Sequence, residues 1–109
     1  MTLTKEEQTK RLNILRAYLL EIKEGFNARL VLKKEPNSDK FTLIQYDEFM
    51  TVWREDTKSY NAMLKFIKEG FYLPLCRINK KEPKDIESEE IYNSILDAHS
   101  DNYNFSLHA

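Results

Sequence analysis

Three features of the sequence predict an α+β fold, a small mainly antiparallel sheet packed against two or three helices. Leu12, Leu15, Leu19 and Ile22 recur at spacings of three and four, which marks an amphipathic helix. Two β-rich runs, RLVLKK at 29–34 and KFTLIQY at 40–46, flank the turn-forming stretch EPNSD, which marks a hairpin. The pentapeptide IKEGF stands at 22–26 and again at 67–71, which suggests a helix–glycine–strand unit used twice.

The first helix is expected over residues 5–24. Thr4 and Glu7 fit a capping box ahead of it, and Gly25 stands where a left-handed residue would end it. The hairpin follows. Residues 47–54 (DEFMTVWR) fit either a third strand or one helical face, and the β-rich FMTVW favours the strand. Asp56 or Thr57 is positioned to cap a second helix with Tyr60, Met63, Leu64 and Ile67 as its apolar stripe and Gly70 as its stop. Residues 71–79 (FYLPLCRIN) read as a strand, on an edge because Pro74 has no N–H. A polar connector at 80–84 leads to Ser88, which caps a third helix with Glu89 and Glu90 in its first turn and Ile91 and Ile95 facing inward.

The repeat extends beyond the pentapeptide. Residues 17–32 and 62–77 match at eight of sixteen positions. Each unit would run helix, glycine stop, aromatic anchor, strand. Two similar helix stops arising by chance in a Lys/Glu-rich chain would look the same. Neither glycine belongs to a phosphate loop, because each follows a helix instead of preceding one.

A chain of 109 residues suits a single globular domain, with residues 100–109 (SDNYNFSLHA) expected as a loosely held tail. The N-terminal stretch is charged from its fifth residue and lacks the apolar centre of a signal peptide. No apolar run is long enough to span a bilayer, and Cys76 is the sole cysteine. The expected setting is the cytoplasm, without a disulfide and without membrane contact. Residues 1–84 hold all 17 Lys and Arg against 12 Asp and Glu, while residues 85–109 hold six carboxylates and no Lys or Arg. A basic body thus carries an acidic tail, which points to interaction rather than chemistry.

The residues for catalysis are sparse. Cys76 lies in an apolar run, and both histidines, His99 and His108, fall in the last eleven residues. His99, Asp101 and His108 with Cys76 match no compact zinc spacing. No phosphate-loop, dinucleotide-binding or HExxH motif occurs. The expectation is no enzyme, no catalytic residue, no metal and no cofactor.

Two binding surfaces compete. Glu87, Glu90, Asp97 and Asp101, with Tyr92 and Tyr103 interleaved, could engage a protein with a basic surface. Alternatively, Arg29, Lys33, Lys34 and Lys40 on the hairpin could meet nucleic acid, though Glu35 and Asp39 interrupt them. Lys, Asn, Ile, Phe and Tyr outnumber Gly, Ala, Arg and Pro by 40 to 15, as in AT-rich genomes. Short length, this residue usage and missing catalytic apparatus are typical of small accessory proteins of phages and mobile elements. Such proteins commonly inhibit or modulate a host protein, including host defence nucleases in the anti-CRISPR manner. The expected function is therefore non-enzymatic binding to a host protein, with nucleic-acid-binding regulation as the alternative. Oligomeric state is left open.

Overall fold

Helix α1 spans Lys5–Lys23 in the computed structural model, which describes residues 3–23, 29–99 and the backbone of 107–108. Its start is the predicted one. The Thr4 hydroxyl accepts the Glu7 amide hydrogen at 3.1 Å, satisfying a donor that the first helical turn leaves open. Ile14, Leu15, Tyr18, Leu19 and Ile22 are buried along one face.

Strands β1 (Arg29–Lys34) and β2 (Lys40–Tyr46) pair antiparallel, with Leu32 opposite Leu43 and Lys34 opposite Phe41. Asn37 takes a left-handed φ of 55° in the turn between them, a conformation asparagine tolerates. Strand β3 (Val52–Ser59) pairs antiparallel with β2, and Leu107–His108 (β4) lies parallel beside β1. The strand order is β3-β2-β1-β4. With three antiparallel strands and helices against them, the α+β class is as predicted.

The third strand sits further along the chain than FMTVW suggested. Residues 47–51 form a turn, and β3 continues to Ser59. Asp56 and Thr57 therefore do not cap a helix. Asp56 pairs with Arg54 at 2.8 Å, and the Thr57 hydroxyl meets that of Thr42 at 2.7 Å across the strands. Helix α2 (Tyr60–Ile67) starts directly after the extended Ser59, and Tyr60, Met63 and Ile67 are buried as the stripe predicted.

Residues 71–79 are not a strand. Helix α2 runs into one π-helical turn, Lys68–Tyr72, and then into α3, Leu73–Asn79. The second IKEGF copy is thus helix, π turn, helix, and the proposed helix–glycine–strand repeat fails there. The reasons are local. Pro74 stands just past the π turn, where the hydrogen-bond ladder is already irregular, so its missing N–H does not stop the helical run. Tyr72 and Cys76 are both buried, and a spacing of four is a helical face. Gly70 does not take a positive φ. The left-handed residue is Lys80, with φ 54°. Lys81 N–H donates to the Cys76 carbonyl at 2.9 Å and Lys80 N–H to that of Arg77 at 3.3 Å, the bond pair of a Schellman stop. Gly25 and Phe26 of the first copy lie outside the described residues.

Helix α4 spans Glu89–Ala98, with Tyr92 and Ile95 buried. One core joins the four helices to Leu30, Leu32, Phe41 and Leu43 of the sheet. Ile22, Leu32, Leu43, Met63, Ile67 and Ile86 are fully enclosed, and burial of each such side chain stabilises by about 1.5–3 kcal/mol. Of the tail expected over 100–109, residues 100–106 and 109 lie outside the described residues. Among the described residues no helix is long and apolar enough to cross a membrane.

Candidate functional site

Four large apolar side chains crowd the β2–β3 turn and stay in solvent. Phe49 is 79% exposed, Trp53 63%, Met50 49% and Val52 46%. Their concentration matters, because single exposed apolar residues are ordinary but a cluster marks an interaction surface.

The turn that carries them is tightly held. The Asp47 carboxylate accepts the amide hydrogens of both Phe49 and Thr51 at 2.9 Å. The Asp47 carbonyl accepts from Met50 N–H, and Asp47 N–H donates to the Thr51 carbonyl, each at 3.0 Å. Met50 closes the loop in a left-handed conformation, φ 64°. Glycine or asparagine is the inexpensive choice there, and methionine costs about 1–2 kcal/mol. The Met50 sulfur lies 3.7 Å from an Arg29 guanidinium nitrogen, which donates to it.

Just past the turn the ladder is irregular. Tyr46 pairs with Val52 and Gln45 with Arg54, so Trp53 is the additional residue of a β-bulge. A bulge bends an edge strand and re-aims its side chains. Beyond it, β3 carries Arg54, Glu55, Asp56 and Lys58, charges that discourage pairing with another strand. On this strand the exposed apolar surface is therefore confined to the end next to the turn. Within the sheet, Gln45 is buried and its side-chain nitrogen has no hydrogen-bond partner.

The acidic segment is divided. Tyr92 belongs to the core at 4% exposure, so little of it is open to a partner. Glu87 accepts from the Tyr18 hydroxyl at 3.4 Å and pairs with Lys68 at 3.3 Å, tying the segment to its own basic body. Glu90 and Asp97 are exposed, seven residues apart and so on one face of α4, about 10 Å from each other. Asp101 and Tyr103 lie outside the described residues.

The basic hairpin is divided as well. Lys33, Lys34 and Lys40 gather near the β1–β2 turn, while Arg29 pairs with Tyr46 at the other end, about 16 Å along the strand. Lys34 donates to the Ser38 carbonyl at 3.1 Å. Cys76 is buried on α3 and His99 follows α4. Among the described residues no three His, Cys, Asp or Glu side chains converge as a metal site would need. Burial, and secondarily the Glu87 charge, raises the Tyr18 phenol above its ordinary range. Burial likewise pushes Tyr72 up to about 12.

No protein-family model matches the chain, and no curated protein or solved structure shows significant similarity to it. The tip must be read from its own chemistry.

Sequence reasoning assigned Phe49 and Trp53 to a strand and gave them no role. A signal was present. Asp47 followed two and four residues later by Phe49 and Thr51 fits a turn closed by a carboxylate.

Proposed function

We propose that this chain is a non-enzymatic binding protein that docks a partner protein through the Phe49–Trp53 tip. One observation supports the reading above others. Phe49 and Met50 on the turn and Trp53 on the bulge beside it are exposed, and the left-handed Met50 is held at a cost in stability. Strain at an exposed site supports a functional reading when nothing in the fold gains from it. Aromatic and methionine side chains are enriched at protein interfaces, and a rigid turn lowers the entropy lost on docking.

The partner is then a protein with an apolar pocket deep enough for an indole. In the setting that residue usage suggests, it is a host protein that the chain inhibits or modulates. Glu90 and Asp97 supply a second, electrostatic contact for a partner with a basic rim.

A photoreactive phenylalanine analogue at position 49 tests this. Illumination in host lysate should cross-link one protein. The same protein should be lost from pull-downs with the folded double variant Phe49→Ala/Trp53→Ala. Undiminished capture by the double variant would refute the reading. Capture of nucleic acid, abolished by Lys33→Gln/Lys40→Gln, would replace it with the basic-hairpin alternative.

A further inference from the structure

A cavity of about 650 Å³ opens between the first turns of α1 and the β1–β2 turn, far along β2 from the aromatic tip. Its size falls in the range of small-molecule sites. Leu3 and Phe41 form its apolar wall, and Arg11, Lys34, Asn37 and Ser38 bring polar groups to it. Among the described residues no carboxylate pairs with Arg11 or Lys34. Arg11 is nevertheless held in place, its guanidinium carbon 4.7 Å from the centre of the Tyr60 ring. That contact fixes the side chain without using up its donors, because the planar guanidinium carries five N–H groups. Lys34 is steadied by its bond to the Ser38 carbonyl, which occupies one of three ammonium donors.

We propose that this cavity binds a phosphate monoester carried on an organic body, of about the size of a nucleoside monophosphate. Arg11 offers the bidentate fork suited to phosphate oxygens, and Lys34 a second charge. Asn37 and Ser38 add neutral donors from the turn, while Leu3 and Phe41 meet the apolar part of the body. Asp39, also on the wall, limits the charge that is tolerated. It opposes a polyphosphate through repulsion between like charges. Bare phosphate would use only the cationic corner of a space this large.

The test titrates the full-length, isotope-labelled chain separately with adenosine monophosphate, inorganic phosphate and adenosine, followed by amide chemical shifts. Adenosine monophosphate should give saturable shifts at Gln8, Arg11, Asn37, Ser38 and Asp39, and bind about tenfold more tightly than either fragment. Arg11→Gln and Lys34→Gln should each weaken it about tenfold, as loss of a charge-assisted bond does. Asp39→Asn should tighten it a few-fold, a direction that damage to the fold cannot mimic. Phe49→Ala/Trp53→Ala should leave it unchanged, which keeps the result separate from docking at the tip. Equal affinity for inorganic phosphate, equal affinity for adenosine, absence of saturable shifts, or indifference to Asp39→Asn would each overturn the proposal.

Discussion

The Tyr18 ring meets the Tyr72 ring edge-on, with centroids 5.3 Å apart and planes at 78°. This contact joins α1 to the π turn inside the core, and both hydroxyls are engaged. Tyr18 donates to Glu87 at 3.4 Å, and the Tyr72 oxygen accepts the Lys84 amide hydrogen at 2.8 Å. Burial disfavours either phenolate. Tyr18 is raised above its ordinary 10.0, Tyr72 up to about 12, and Tyr60 and Tyr92 move the same way.

Alkaline pH should therefore unfold the protein. Between pH 10 and 12 the unfolded chain releases phenolic protons that the folded chain retains, so stability falls as pH rises. Each protected tyrosine steepens the fall by up to about 1.4 kcal/mol per pH unit. Urea midpoints should hold steady below pH 9 and drop from pH 10 upward. Phenolate absorbance at 295 nm should rise together with loss of far-ultraviolet dichroism. Titration of all six tyrosines near pH 10 with the fold intact would contradict the buried-phenol account.

Gly70 gives a prediction of unusual sign. It lies within the π turn, takes no positive φ, and a methyl group added there would meet nothing within 4 Å. Gly70→Ala should stabilise by about 0.5–1 kcal/mol, because alanine loses less backbone entropy in a helical segment. A lowered thermal midpoint would show that the turn needs glycine after all.

How far the sequence could be read depended on how local the signals were. Thr4 and Glu7 lie three residues apart and mark the start of α1. EPNSD lies between β1 and β2 and marks their hairpin. Residues 71–79 misled because FYLPLC is a short apolar run that suits a strand or a buried helix equally; Tyr72 and Cys76 share a helical face, and only packing against α1 chooses between them. Helix stops were assigned to glycine, while the one seen at the end of α3 uses Lys80. Propensity ranks lysine low in that conformation, and the two carbonyl bonds of the stop override it. Among the candidate site residues, Glu90 and Asp97 are exposed as expected, whereas Tyr92 is hidden. Residue type alone does not say which side of a helix a tyrosine occupies. The tip was missed because its exposure is a property of tertiary structure.

Charge reversal along the acidic segment should separate its two roles. Glu87→Lys removes the acceptor for Tyr18 and sets a second ammonium beside Lys68. A loss of about 1–2 kcal/mol is expected. Glu90→Lys and Asp97→Lys alter exposed positions and should change stability by less than about 0.5 kcal/mol. If they weaken partner binding, the effect should fall on the association rate and shrink at high salt. Denaturant melts of the three single variants check the first part. Equal destabilisation by all three would mean that the solvent face of α4 matters to the fold.

Met50 allows stability and binding to be moved in opposite directions. Its φ of 64° suits glycine, so Met50→Gly should relieve left-handed strain and stabilise by up to about 1 kcal/mol. The variant loses the side chain that Arg29 contacts and that the tip presents. Trp53→Ala should leave stability within about 0.5 kcal/mol, because the indole is 63% exposed. If the tip is where a partner docks, Trp53→Ala should cost binding about 2 kcal/mol or more, as central aromatic anchors do. Met50→Gly should weaken binding by a smaller amount while the melting temperature rises. Thermal melts beside affinity measurements for the captured partner decide the matter. A more stable Met50→Gly protein with undiminished affinity would make the strained methionine a structural accident. A Trp53→Ala protein that unfolds early would mean the indole is packed against the fold, and the docking reading of the tip would fall with it.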